Sequence, residues 1–97
     1  MVTLIPLPEF SSWLNALKDN LVRGVILARL KRLECGLAGD VESVGGGVIE
    51  LRIHLGAGWR VYYMHRGKHL VVLLAGGNKH GQRADIDRAR ALAALID

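Results

Sequence analysis

From Val48 to Leu55 the chain alternates without a break: Ile49, Leu51, Ile53 and Leu55 fall on one side, Val48, Glu50, Arg52 and His54 on the other. A period of two belongs to an extended strand, whose successive side chains point to opposite faces. Gly56-Ala57-Gly58 follows, and glycine reaches positive φ without a Cβ penalty, so the chain reverses there. Trp59 to Arg66 then returns as the second strand of a hairpin. With the turn centred on Ala57, Tyr62 stands across from Arg52 and Arg60 across from His54, all on the polar face. Two guanidiniums, an imidazole and a phenol on one side of a sheet that is apolar on the other make a surface for polyanions.

The rest of the chain builds around this hairpin. Val2 to Ile5 reads as an edge strand, because it is β-branched, short and followed by Pro6 and Pro8. Pro8 and Glu9 suit a first helical turn, and Phe10, Trp13, Leu14 and Leu17 recur at helical spacing. Asp19-Asn20 interrupts this helix and caps a second one, Leu21 to Glu34, which Gly36 stops. A short strand, Val41 to Val44, precedes the hairpin. A third strand of the sheet, His69 to Ala75, follows the Arg66-Gly67-Lys68 reversal. After the loop Gly76 to Gly81, Asp85 and Asp87 mark the start of a last helix carrying Ile86, Ala89, Leu92, Ala93 and Ile96. The order β-α-α-β-β-β-α predicts an α+β fold, with an N-terminal edge strand, a helical hairpin packed on a small antiparallel sheet and a C-terminal helix. The helices are expected on one face.

Ninety-seven residues, half of them apolar, are expected to form one domain spanning 1–97. A net charge of +4 favours nucleic acid or an acidic protein as partner. Cys35, alone, excludes an internal disulfide; it fits a reducing compartment and reads as a small helix-borne hydrophobe. The first residues lack the pattern of a signal peptide, and no apolar run reaches membrane-spanning length, so a cytoplasmic location away from membranes is expected.

Three groups of residues bear on chemistry. Arg52, Arg60 and Tyr62 read as a phosphate-gripping face, since guanidinium binds phosphate oxygens in pairs and a phenol stacks on a base. The alternative is a solvated sheet face with Arg52–Glu50 ion pairs. Gly76-Gly77-Asn78-Lys79-His80-Gly81-Gln82-Arg83 reads as a glycine-broken loop whose amides and cations face an anion at a helix start. It is neither a Walker loop nor a GxGxxG turn, and a plain strand-to-helix connection would look similar. His54, His65, His69 and His80 lack metal-ligand spacing, so no metal or other cofactor is expected. Ser11, Ser12 and Ser43 lie away from any base. Cations with one or two proton-moving groups match metal-free cleavage of RNA, in which the ribose 2′-hydroxyl attacks the adjacent phosphate. Arg52 and Arg60 would neutralise the transition state. Lys79, His80 or His54 would move protons.

The ordered series Gly39-Asp40, Val44-Gly45, Glu50-Leu51-Arg52-Ile53, Gly56 to Tyr63, Gly76 to Lys79 and Gln82 to Ala89 resembles the RelE/ParE toxin superfamily, in its HigB-like addiction-module-killer branch. The similarity runs from Phe10 to Leu92. It implies a type II toxin of a toxin–antitoxin system that enters the ribosomal A site and cuts messenger RNA, an endoribonuclease silenced by a cognate antitoxin, often a small helix-turn-helix protein. By position, Arg60 matches the arginine of the family's strand motif, Arg52 a basic position on the preceding strand, and Lys79 and His80 the basic loop before the last helix. The resemblance thus implies Arg52, Arg60, Lys79 and His80 as catalytic residues, with Tyr62, His54, Arg83 and Gln82 holding RNA. Asp85-Ile86-Asp87 carries no aromatic residue to orient the cut base, so Tyr62 takes that role or it goes unfilled. The alternative is a ParE-like protein that inhibits DNA gyrase without catalysis.

Overall fold

The computed structural model describes residues 1–96. The chain runs β1 (Thr3–Pro6), α1 (Pro8–Ala16), α2 (Asn20–Glu34), β2 (Val41–Ser43), β3 (Ile49–Ile53), β4 (Trp59–Arg66), β5 (Leu70–Asn78), a 3-10 turn (Lys79–Gly81) and α3 (Gln82–Ala94). The class is α+β, as expected. The strands form one sheet in the order β1-β5-β4-β3-β2. All neighbours are antiparallel except β1, which joins the edge parallel to β5 and makes the sheet mixed.

Local chemistry sets the helix boundaries. Pro8 opens α1 where a missing N–H costs nothing. At α2 the Asp19 carboxylate accepts from the N–H groups of Leu21 (2.9 Å) and Val22 (3.3 Å), a side-chain N-cap. Gly36, at φ +86°, ends that helix in the left-handed region. Cys35 is the C-cap and is exposed, so it does not act as a core hydrophobe.

Both faces of the sheet are covered, which corrects the expectation of helices on one face. Phe10 of α1 and Val22, Ile26, Leu30 and Leu33 of α2 pack on Leu51, Ile53, Val61, Tyr63, Val71 and Leu73. On the opposite face α3 lays Ala89 and Ala93 against Val48, Tyr62, Val72, Leu74 and Ala75. The small alanines let the helix approach the strands closely.

A bulge in β5 explains how adjacent residues share a face. Tyr62 pairs with Ala75 and Tyr63 with Leu73, leaving Leu74 extra. Leu74 and Ala75 therefore both belong to the α3 side, and the alternation changes phase beyond them. Gly76 then faces α1 and Gly77 faces α3. A Cβ on Gly76 would lie 2.3 Å from the Trp13 ring, and one on Gly77 would lie 1.8 Å from an Asp85 carboxylate oxygen. The two glycines are there for close approach, and they extend β5 three residues beyond the expected strand end at Ala75.

Candidate active site

The β3–β4 hairpin has a different register from the expected one. Arg52 pairs with Arg60 and Glu50 with Tyr62, so the reversal centres on Gly56. Gly56 and Gly58 take φ of +54° and +76°, and the loop closes through a bond from the Gly58 N–H to the Leu55 carbonyl (3.0 Å). The polar face therefore holds a square: Glu50 and Arg52 on β3, Tyr62 and Arg60 on β4.

That face is not open to solvent. With α3 lying over it, Tyr62 and Glu50 are fully buried and Arg60 is 7% exposed. Two arginines directly across a ladder repel each other. The Glu50 carboxylate lies among them and offsets that repulsion. Arg52 Nε donates to Glu50 Oε1 at 2.8 Å, the Tyr62 hydroxyl to Oε2 at 3.0 Å, and the Gln82 amide to Oε2 at 2.9 Å. Arg60 Nε lies 3.8 Å from Oε1, close enough for charge attraction but too far for a hydrogen bond, and this buried N–H has no other partner. Arg52 also pairs with Glu42 on β2.

The ionisation of the cluster follows from these contacts. Burial by itself would raise the Glu50 pKa, but the hydrogen bonds from Arg52, Gln82 and Tyr62 outweigh it and hold the carboxyl below its usual range. Burial, reinforced by the neighbouring Glu50 carboxylate, pushes the Tyr62 phenol well up, so it stays protonated as a donor. Tyr62, expected on an open face to stack a base, is thus a buried structural donor in this conformation.

Beside this buried cluster lies a shallow open cleft of about 380 Å³, lined by His54, Leu55, Gly56, Ala57, Gly58, Arg60 and Lys79. Lys79 reaches it because the loop after β5 is stitched to the hairpin: the Lys79 N–H donates to the Ala57 carbonyl at 3.3 Å. A Cβ on Gly58 would lie 3.3 Å from Lys79 Cβ, so the turn glycine also makes room for the lysine. The loop is not the amide nest expected from its glycines. Three of its N–H groups are engaged within the chain: Lys79 on Ala57, His80 on the Asn78 side chain (2.9 Å), and Gln82 on the Lys79 carbonyl. Its contribution to the cleft is the lysine side chain.

His54 stands at the cleft's edge, and its Nε2 lies 2.5 Å from Asp40 Oδ2. That hydrogen bond holds the Asp40 carboxyl below the usual range, outweighing the opposing effect of desolvation.

The eight residues singled out in the sequence therefore divide. Arg60, Lys79 and His54 line one cleft. Arg52, Tyr62 and Gln82 surround Glu50 beneath it. His80 is exposed on the 3-10 turn but does not line the cleft. Arg83 belongs to a separate depression on α3, of about 360 Å³, with Gln82, Ile86, Asp87 and Arg90. The organising residue is Glu50, which the sequence offered only as a solvated ion-pair partner of Arg52 and which the fold buries as the shared acceptor of Arg52, Tyr62 and Gln82. The signal was present, because the alternation already put this carboxylate on the face of Arg52 and Arg60, where burial requires a counter-charge. Among the described residues, no three His, Cys, Asp or Glu side chains are grouped to hold a metal ion. No helix among them is long and apolar enough to cross a membrane.

Comparison with known proteins places the sequence in a family. An uncharacterized protein of Haemophilus influenzae (strain ATCC 51907 / DSM 11121 / KW20 / Rd) is 48% identical over 84 residues, 87% of this chain and 85% of that protein. Residues 12–94, which include every side chain of the cluster and the cleft, match the family described as Phage derived protein Gp49-like (DUF891). The chain belongs to this Gp49-like family, a RelE/HigB-like toxin family of toxin–antitoxin modules.

Proposed function

We propose that this toxin is an mRNA endoribonuclease acting on translating ribosomes without a metal ion. The observation that carries the reading is the meeting of Arg60, Lys79 and His54 in one solvent-open cleft. Cleavage within RNA needs a base for the ribose 2′-hydroxyl, cations for the pentacoordinate phosphorane and an acid for the leaving oxygen. In this reading His54 takes the 2′-hydroxyl proton as the 2′-oxygen–phosphorus bond forms. Arg60, held by the field of Glu50, neutralises the phosphoryl oxygens. The bond from phosphorus to the 5′-oxygen breaks, and the Lys79 ammonium supplies that oxygen's proton. The products are a 2′,3′-cyclic phosphate and a 5′-hydroxyl end.

In the same reading Arg52 supports the site from below, His80 and Arg83 grip the RNA backbone at either side, and Gln82 and Tyr62 hold Glu50. The cleft and the cations that line it are the surface that a cognate antitoxin, a small helix-turn-helix protein, would cover to silence the toxin. The test is sequencing of RNA 5′ ends after brief induction in bacteria, with Arg60→Ala as control. New 5′-hydroxyl ends inside translated reading frames, absent from the control, are expected. Growth arrest with unchanged RNA ends would refute the nuclease and point instead to inhibition of DNA gyrase.

A further inference from the structure

The Gly39-Asp40 pair does not line the cleft, yet the fold fixes it in place. Arg29 of α2 donates through Nη1 to the Arg52 carbonyl (2.8 Å) and through Nη2 to the Ala38 carbonyl (3.1 Å), clamping the segment before β2 to β3. Gly39 takes φ +74°, a conformation that favours glycine, and a Cβ there would lie 2.7 Å from Arg29 Nη2, so a side chain at this position would push the clamping guanidinium aside. The next residue is anchored again, because the Arg52 N–H donates to the Asp40 carbonyl at 2.9 Å. These constraints deliver the Asp40 carboxylate to His54 Nε2 at 2.5 Å.

Both partners are largely exposed, so as an ion pair the contact adds little to stability. Its consequence is geometric. A carboxylate that accepts from Nε2–H fixes the imidazole tautomer and leaves Nδ1 as the ring's free acceptor.

We propose that Asp40 is the positioning residue of this toxin's general base, a role that rests on the ribonuclease reading above. Asp40 holds His54 so that Nδ1 receives the proton of the attacking 2′-hydroxyl. The 2′-oxygen–phosphorus bond forms, the phosphorus–5′-oxygen bond breaks with its electron pair on the leaving oxygen, and Lys79 protonates that oxygen. Asp40 touches neither RNA nor the reacting phosphate.

The test uses the purified full chain on ribosomes programmed with mRNA, comparing wild type, Asp40→Asn, Asp40→Glu, His54→Ala and the double variant Asp40→Asn/His54→Ala. Asp40→Asn is expected to lower kcat at least about tenfold with KM within about twofold, Asp40→Glu to recover most of that loss, and the double variant to match His54→Ala alone. Asp40→Asn cutting like wild type, or lowering kcat equally with and without His54, would overturn the assignment while leaving the nuclease reading intact. A wild-type chain that cuts no mRNA would overturn both.

Discussion

At one end of the β4–β5 hairpin, Arg60 and Lys79 border a cleft; at the other, His65, Arg66, Lys68 and His69 stand around the connecting turn. By charge alone the turn end is the equal of the cleft end. The difference is construction. Arg60 is nearly buried, lies near a fully buried carboxylate and is positioned by a register that sets it opposite Arg52. Arg66, Lys68 and both histidines of the turn end are exposed, and among the described residues neither Arg66 nor Lys68 joins an ion pair with a carboxylate. A cation that solvent surrounds is screened and mobile, whereas one fixed in a partly desolvated site acts on a phosphate with no reorganisation. Fixation against a buried counter-charge, more than the number of cations, distinguishes a candidate catalytic site from a basic surface.

The sharpest way to break this contrast is to remove the counter-charge. Glu50→Ala leaves Arg60 buried without an anion and strips the partners from Tyr62 and Gln82. Urea unfolding is expected to show a loss of about 3–5 kcal/mol. Lys68→Ala at the turn end should stay within about 0.5 kcal/mol of wild type. Equal small losses would mean that the cluster does not hold the site.

Next in size is Gly76→Ala, whose Cβ meets the Trp13 ring at 2.3 Å. Trp13 in turn lies 5.7 Å from Phe10 and 6.3 Å from Trp59, centroid to centroid, so the ring has little room to retreat. A cost of about 1–3 kcal/mol is expected from thermal melting. The turn glycine Gly67 has open space about its Cα but a φ of +69°, so Gly67→Ala costs only backbone strain, about 1 kcal/mol.

The smallest effect is in pH. Glu50 has a folded pKa below its ordinary value of 4.5, so its contribution to stability is complete above that value and is lost as pH falls through the depressed range. Asp85 works in the opposite direction: burial raises its carboxyl against the pull of Arg88, so folding gains as that group takes up a proton. Unfolding free energy followed downward from pH 6 should therefore fall less steeply in Glu50→Gln than in wild type, and more steeply in Asp85→Asn. Parallel curves for all three would remove both carboxylates from the stability balance.

The sequence made the strands, the helix boundaries and the shared face of Glu50, Arg52, Arg60 and Tyr62 legible, because period-two alternation and capping residues are local signals. What it did not reveal was long-range. The hairpin register depends on the geometry of a five-residue loop, and a reversal centred one residue earlier re-paired every side chain across it. The burial of Tyr62 follows from α3 crossing over the sheet, a choice of face that the helix's own apolar stripe does not encode. The β5 bulge and the tight contacts of Gly76 and Gly77 made those glycines look like a loop, since close packing and turning call for the same residue. The Asp40–His54 contact joins residues fourteen apart through Arg29, which no local pattern announces.

The most direct measurement removes one exposed lysine from each end of the hairpin. Lys79→Ala and Lys68→Ala delete the same charge from surfaces of similar composition, and both can be followed by mapping 5′-hydroxyl RNA ends after brief induction at matched protein levels. Lys79→Ala is expected to reduce cuts within reading frames about a hundredfold, while Lys68→Ala cuts at the wild-type sites with wild-type efficiency. Equal loss in both variants would show that overall positive charge, and not the cleft, governs the protein's action on RNA; no loss in Lys79→Ala would show that the cleft is not where RNA is cut.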